Sequence, residues 1–226
     1  MIFFIDTSFD ITTIAIKKDE KFYKEIIDVN TNISQVLVER TKIILKKSKS
    51  RKKDIKKIVF NQGPGNFTSL RIALAYIKAM AFHLNIPVVT LNSFQIMALS
   101  SIKNQSKHPF FVAIDARMNE IYVSEYKNYL DIYTKNKNYY LLSTSKCYEK
   151  LKYFKSEKAT LIKNSSDILK DTKNHNSSLK EVIFKPNNVV LKNIFHTIEK
   201  KLYFSEKSIN QISLLYIRDN VAQKQK

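Results

Sequence analysis

Ile58-Val59-Phe60-Asn61-Gln62-Gly63-Pro64-Gly65-Asn66-Phe67-Thr68-Ser69-Leu70-Arg71 contains both glycines of a 226-residue chain. Average usage of about 7% gives roughly 16 glycines at this length. The excess of lysine over arginine, with abundant asparagine and isoleucine, marks an A/T-rich coding bias that disfavours glycine. The two that remain mark backbone positions where a Cβ is hard to accommodate. Ile58-Val59-Phe60-Asn61 reads as a short buried strand, and residues 67–84 read as a long apolar-rich helix. A strand that turns through Gly-Pro-Gly into a helix presents backbone N–H groups at the helix start, with Asn66 or Thr68 near the cap. Two readings fit these residues: a rigid corner between core elements, or a helix end that takes an anion such as phosphate. A Walker-type loop is not one of them, because Asn66-Phe67-Thr68 stands where Gly-Lys-Ser/Thr belongs.

Upstream, residues 1–5 read as a central strand and Asp6-Thr7-Ser8-Phe9-Asp10 as a turn. Residues 11–17 and 21–28 follow as strands, giving an opening β-meander. Thr31 or Asn32 caps a helix over 33–47, and a basic loop at 48–53 leads to the Ile58 strand. Downstream come a strand at 87–91, a helix capped by Asn92 or Ser93 and running to about 102, and a polar linker at 103–108. Then the pattern restarts. Phe110-Phe111-Val112-Ala113-Ile114-Asp115 echoes Phe3-Phe4-Ile5-Asp6, and residues 120–126 echo the return strand. The echo predicts an internally duplicated α/β fold of two small subdomains, each opening with a β-hairpin or meander. The expected division is 1–102 and 109–226, the second being degenerate. Beyond 127 the pattern supports strands at 139–142 and 160–163 and helices at 145–154 and 188–204. A polar loop at 164–178 and an extended stretch at 216–220, before a basic tail, complete the reading.

The length allows one large domain or two small ones with a substantial core. With 44% hydrophobic and 12% aromatic residues the chain belongs with globular proteins and not with disordered ones. The formal charge of +19 favours RNA electrostatically. The lysines nevertheless read as dispersed, and a dedicated RNA-binding module calls for joint basic and aromatic clustering. Tyr122, Tyr126, Tyr129 and Tyr133 read as strand faces in preference to a stacking platform. Five arginines stand out against the bias: Arg40, Arg51, Arg71, Arg117 and Arg218. The single Cys147 excludes an internal disulfide, fits a reducing compartment, and reads as a small half-buried residue and not a nucleophile. Residues 1–5 lack the flank and length of a signal peptide, and no apolar run approaches ~18 residues, so the expected address is cytoplasmic with no membrane contact. His83, His108, His175 and His196 are scattered, so no metal site is expected.

Four motifs occur in order: Ile5-Asp6-Thr7-Ser8, the stretch from Gly63 to Arg71, Ile114-Asp115-Ala116-Arg117-Met118, and Tyr216-Ile217-Arg218-Asp219-Asn220-Val221-Ala222. Together they resemble the TsaB family, also called YeaZ. The likeness is strong to about Tyr126, thin from 128 to 210, and strong again at the last motif. It implies an actin/Hsp70-like (ASKHA) fold of two subdomains. It also implies a non-catalytic partner role in making threonylcarbamoyladenosine beside the anticodon of tRNA, with a TsaD-like catalytic subunit and a TsaE-like ATPase as partners. tRNA is then met indirectly or weakly, and the isolated chain either pairs with a second copy of itself or stays monomeric. Aspartates at the equivalent strand ends of nucleotide-binding relatives face the nucleotide's metal. By that likeness Asp6, Thr7, Gly63, Pro64, Gly65 and Asp115 are candidate nucleotide or phosphate contacts, a vestigial ATP/ADP site with no cofactor required. Read from the residues alone, Asp6 serves equally as a turn acceptor, and Asp115 as the partner of Arg117 or a turn cap. Arg71 is expected in a buried or interface ion pair, with Arg117 and Arg218 structural.

Some departures bear on this. The family usually has serine at 66 and glycine at 69 and 119. Asn119 tolerates a left-handed turn, and Ser69 suits a helix better than glycine does. The catalytic relative binds metal through two histidines one helical turn apart, a spacing held here by Ile33 and Leu37. A small ATP-dependent kinase of the same superfamily is the rival, but the chain is short and no third glycine exists for a second phosphate loop.

The helix after Gly65 carries two apolar stripes. Phe67, Leu70, Leu74, Ile77, Ala81 and Leu84 are expected on the sheet. Ile72, Ala75, Tyr76, Ala79 and Phe82 form a second stripe, beside Val38 and Leu45 of the helix at 33–47. These seven residues are the expected interface, in a four-helix contact with the partner or a second copy.

Overall fold

The structure, a computed structural model, describes residues 1–28, 32–101, 108–133, 139–153, 159–186, 188–200 and 204–218. A cap at Thr31, the linker at 103–107 and the motif residues 219–222 with the tail after them lie outside these. Contacts divide the chain into two units, Met1–Ser100 with Pro186–Leu214, and Ser101–Lys185 with Leu215–Lys226.

The first unit opens with an antiparallel meander of β1 (Ile2–Asp6), β2 (Ile11–Lys18) and β3 (Lys21–Asp28). α1 (Ile33–Lys47), β4 (Lys57–Asn61), α2 (Phe67–Leu84), β5 (Val88–Leu91) and α3 (Ser93–Ser101) follow. β4 lies parallel to β1, and β5 parallel to β4. β1 and β4 are buried on both faces, which is why they read as unbroken apolar runs and not as alternations. Successive side chains point to opposite faces. Phe3, Ile5, Ile58 and Phe60 join Leu37, Ile44, Leu70 and Ile77 of the two helices in one buried cluster.

The second unit repeats the plan with β6 (Phe110–Asp115), β7 (Glu120–Tyr126), β8 (Tyr139–Ser143), α4 (Thr144–Tyr153), β9 (Thr160–Lys163), α5 (Thr172–His175) and β10 (Lys180–Ile183). Its sheet order is β10-β9-β6-β7-β8, against β5-β4-β1-β2-β3 in the first, with matching parallel and antiparallel pairings. The duplication expected from the Ile-Asp echo is thus present strand for strand, in an α/β fold of the actin/Hsp70-like kind. α5 lies within the stretch expected to be loop, and its four residues stand where the first unit has the 18 of α2.

α6 (Asn188–Glu199) and the two-residue β11 (Glu206–Lys207) return to the first unit. β11 pairs with β5, and Phe195 sits edge-on to Phe4 and stacks with Phe22, each at 6.4 Å. A boundary at 102/109 leaves residues 186–214 in the wrong body, because the amphipathic α6 finds its apolar partner on the first sheet. Among the described residues no helix is long and apolar enough to cross a membrane.

Candidate functional site

β1 and β4 run side by side and end together, so Asp6 and Asn61 meet at the finish of the parallel pair. Both are buried. Asp6 Oδ1 accepts from the Ser8 backbone N–H at 2.9 Å, the Ser8 hydroxyl at 2.6 Å and Asn61 Nδ2 at 2.9 Å. Asn61 Nδ2 also donates to Ser8 Oγ at 2.7 Å, and Asn61 Oδ1 accepts from the Gly63 N–H at 3.0 Å. The Ser93 hydroxyl donates to the Pro64 carbonyl at 2.6 Å and lies 3.2 Å from Asn61 Oδ1, while the Ser93 N–H donates to the Gly63 carbonyl at 2.9 Å. The Asn66 N–H closes onto the Ser8 carbonyl at 2.8 Å. The β1–β2 turn, the Gly-Pro-Gly corner and the head of α3 are therefore one hydrogen-bonded cluster. Burial pushes the Asp6 carboxyl above its usual range, opposed by the bonds from Ser8 and Asn61. Thr7 is fully buried in the same turn, and its hydroxyl has no partner among the described residues.

Each glycine has its own reason. Gly63 has φ 95°, beyond the left-handed basin open to other residues. A Cβ on Gly65 would lie 2.2 Å from the Ser8 carbonyl oxygen and 2.7 Å from Ser8 Cβ. Asn66 caps α2 by accepting from the Ser69 N–H at 3.1 Å, and Asn92 and Gln95 exchange bonds of 3.0 and 2.9 Å at the head of α3.

Asp6, Thr7, Gly63, Pro64 and Gly65 thus come together, whereas Asp115 belongs to the second unit. There it ends β6, and its backbone N–H donates to Asn164 Oδ1 at 3.0 Å, just past β9. An aspartate and an asparagine at neighbouring strand ends recur in both halves. The sequence reading had Asn61 only as a strand end and Ser93 only as a candidate helix cap, and it gave Asn164 no part in the site. The only available signal was the position of the two asparagines at the ends of apolar runs. Asp115 accepts from the Arg117 N–H at 2.8 Å and its guanidinium at 3.1 Å. Arg218 pairs with Glu120 and donates to the Ala116 carbonyl at 3.3 Å, bracing a turn in which Arg117, Met118 and Asn119 are all left-handed. Arg71 forms no carboxylate pair among the described residues. Its guanidinium lies over the Phe67 ring at 3.7 Å, because the first turn of α2 offers an aromatic face and no acid.

Ile33 and Leu37, at the spacing of the metal-binding histidines, are buried in the core and do not fit a metal. Among the described residues no three of His, Cys, Asp or Glu gather as a metal site. Burial pushes the Cys147 thiol up to about 12. Tyr126 stacks on Phe110 at 4.7 Å, and Tyr129 meets Tyr133 hydroxyl to hydroxyl at 2.9 Å, so these rings are engaged internally.

On α2, Leu70, Ile77 and Ala81 are buried as expected, with Ala73 and Met80 added, while Phe67, Leu74 and Leu84 are half-buried. The outer stripe exposes Ala75, Ala79 and Phe82, the last at 78%, beside Val38 of α1 at 40%. Ile72 and Tyr76 are half-buried along its margin. Leu45, expected on this outer surface, is instead 6% exposed and part of the core. It follows Ile44 on α1, and the sheet-facing arc is broad enough to take both.

The TsaD family model, described as tRNA N6-adenosine threonylcarbamoyltransferase, matches residues 28–222. The tRNA threonylcarbamoyladenosine biosynthesis protein TsaB of Buchnera aphidicola subsp. Acyrthosiphon pisum (strain APS) is 27% identical over 216 residues, covering 94% of this chain and 96% of that protein. Its Escherichia coli (strain K12) namesake is 26% identical over 123 residues, 54% of this chain and 53% of its own. Among solved structures, YeaZ from Pseudomonas aeruginosa superposes with a TM-score of 0.70 at 16% identity, covering 95% of this chain and 99% of its own. A second crystal structure, of an uncharacterized protein with similarity to peptidase YEAZ from Pseudomonas aeruginosa, reaches 0.73 at 17% identity, covering 96% and 99%. By the span of the model match and the full-length likeness, the chain belongs to the family of the TsaD-type threonylcarbamoyltransferases, in its TsaB/YeaZ branch.

Proposed function

We propose that this chain serves tRNA threonylcarbamoyladenosine formation as a non-catalytic partner subunit, docking a TsaD-like catalytic subunit through the outer face of α1 and α2 and working with a TsaE-like ATPase. The observation that carries the docking is the exposed apolar stripe of Ala75, Ala79 and Phe82 beside Val38. Water-exposed apolar side chains aligned along one helix face are a surface awaiting cover, and the small alanines allow a second helix to approach closely. The pathway comes from the relatives that carry its name. A second copy of the chain covers the same face when the partner is missing.

The Asp6 corner supports a supporting and not a catalytic role. Its carboxylate, its Gly63 and Asn66 N–H groups and its Ser8 and Ser93 hydroxyls are already bonded to one another. Any ATP or ADP bound there is vestigial on this reading, and no cofactor is needed.

Ala79→Arg tests the docking. Ala79 is exposed, so the arginine stays solvated in the free chain and the melting temperature should match wild type. Buried unpaired against a partner, the charge should cost several kcal/mol, roughly 100-fold or more in affinity. Co-purification with the TsaD-like subunit, and modified-nucleoside yield in the reconstituted reaction, both read the outcome. Normal binding by Ala79→Arg moves the interface elsewhere.

A further inference from the structure

Residues 46–57 run Lys-Lys-Ser-Lys-Ser-Arg-Lys-Lys-Asp-Ile-Lys-Lys: eight cations in twelve, where the chain as a whole averages about one in six. A coding bias raises lysine everywhere and does not by itself concentrate it, so the expectation of dispersed lysines fails at this run.

The fold holds this run as a preformed platform. α1 ends with Lys49 left-handed at φ 49°, the Ser50 N–H returns to the Leu45 carbonyl at 2.9 Å, and the Lys18 ammonium bonds the carbonyls of Ser48 and Lys49 at 3.3 Å. A 3-10 turn at Lys52–Asp54 is closed by the Asp54 carboxylate on the Arg51 N–H at 2.7 Å. Ile55 anchors it in the core, and the Lys56 N–H donates to the Met1 carbonyl at 2.9 Å. The platform lies where β1 and β4 begin, at the far end of the sheet from Asp6.

Nearby acids leave most of the charge uncompensated. Glu25 takes Lys47, Glu206 takes Lys57, and Glu199 takes Lys17 from the adjoining strand. Lys46, Lys49, Arg51, Lys52, Lys53 and Lys56 are exposed and have no acidic partner at ion-pair distance among the described residues. The Arg51 N–H first, then the charges of Arg51, Lys53 and Lys18, hold the Asp54 carboxyl below its usual range, as a positive local potential requires.

We propose that the platform at residues 46–57 is a docking site for the phosphate backbone of double-helical RNA. The chemistry selects among polyanions. Single strands are gripped by base stacking on aromatic rings, and the run contains none. A membrane surface asks for apolar side chains that insert, and a tight protein partner for an apolar or aromatic anchor. The one apolar residue here, Ile55, is 1% exposed. Fixed cations reading backbone and shape are what an A-form helix needs. The site is independent of the α1–α2 stripe, so it stands or falls separately from partner docking.

The test is fluorescence anisotropy on the full chain with a labelled RNA stem-loop and an unpaired strand of equal length, over a salt series. Lys49/Lys52/Lys53/Lys56→Gln is compared with Lys127/Lys146/Lys152/Lys185→Gln, which removes equal charge from exposed sites of the second unit. The first variant should bind the stem-loop at least about 10-fold more weakly. Its slope of log K against log salt should be shallower by roughly 2–4, since each lost phosphate contact removes about 0.9. The second variant should stay within about twofold, and both should melt like wild type. Equal loss in both variants, no loss in the first, preference for the unpaired strand, or binding to phosphatidylserine vesicles with none to the stem-loop would each overturn the proposal.

Discussion

A backbone φ near 55° carries a modest penalty for an L-residue, about 1–2 kcal/mol, and this chain accepts it repeatedly. Asp19, Lys49, Asn85, Arg117, Met118, Asn119 and Leu169 all hold φ between 49° and 64° without being glycine. Gly63 and Gly65 resist the same drift because what they require lies outside that range: a φ of 95° and a Cβ-free approach to Ser8. Gly65→Ala should therefore destabilise by about 1–3 kcal/mol or more, since the atom it meets is backbone oxygen and cannot swing aside. At roughly 2–4 °C for each kcal/mol a thermal melt resolves this, and an unchanged melt refutes the close approach. Asp6 makes a pH-dependent prediction. Burial raises its carboxyl above the unfolded 3.8, so the folded chain holds that proton more tightly and ionisation works against the fold. The penalty is absent below the unfolded pKa, grows as pH rises to the folded pKa, and is constant above it. Asp6→Asn keeps an Oδ1 acceptor and cannot ionise, so its stability relative to wild type should climb from pH 3 to pH 7. Denaturant melts at stepped pH measure the difference, and a flat or falling profile contradicts the assignment.

Between elements, the pair Lys163–Glu181 ties β9 to β10. Lys163 is 3% exposed, donating to Glu181 at 2.6 Å and to the Leu169 carbonyl at 3.2 Å, while Glu181 is 25% exposed. The two partners should not be equivalent. Glu181→Ala strands a buried ammonium and should cost about 3 kcal/mol, whereas Lys163→Met leaves a carboxylate that water reaches and should cost about half as much. Urea titration of both variants checks the order, and equal costs would place the ammonium in solvent. Elements of this kind were the hardest to read from sequence. β10 is Lys-Glu-Val-Ile, without alternation or length, and it is a strand only because β9 lies beside it. By contrast α1 and α2 span 33–47 and 67–84 as their apolar periodicity and caps predict. The site divides in the same way. Asp6 and the two glycines announce themselves by residue type, but Asn61 and Ser93 matter only once β1, β4 and the head of α3 are known to be neighbours. Within the chain Arg71 meets the Phe67 ring four residues back, a contact that residue type and spacing did not announce.

Over the whole chain, a doublet of Ile-Asp strand ends was enough to reveal the duplication, because both halves begin with the same buried strand and return. It could not reveal that the first unit is interrupted. The chain leaves that unit after α3, builds the second, and comes back with α6 and β11. The order of synthesis then matters. At about 5–20 residues per second, residues 186–214 leave the ribosome roughly 5–20 s after residue 100. Throughout that interval Phe4 and Phe22 wait without Phe195. Nascent chains arrested with 150 residues outside the exit tunnel should be cut readily within β1–β3 by a protease, and chains released at full length should resist. Equal resistance in both would mean that the first sheet closes without its late helix. For this molecule, the first unit is finished only after the second has been made.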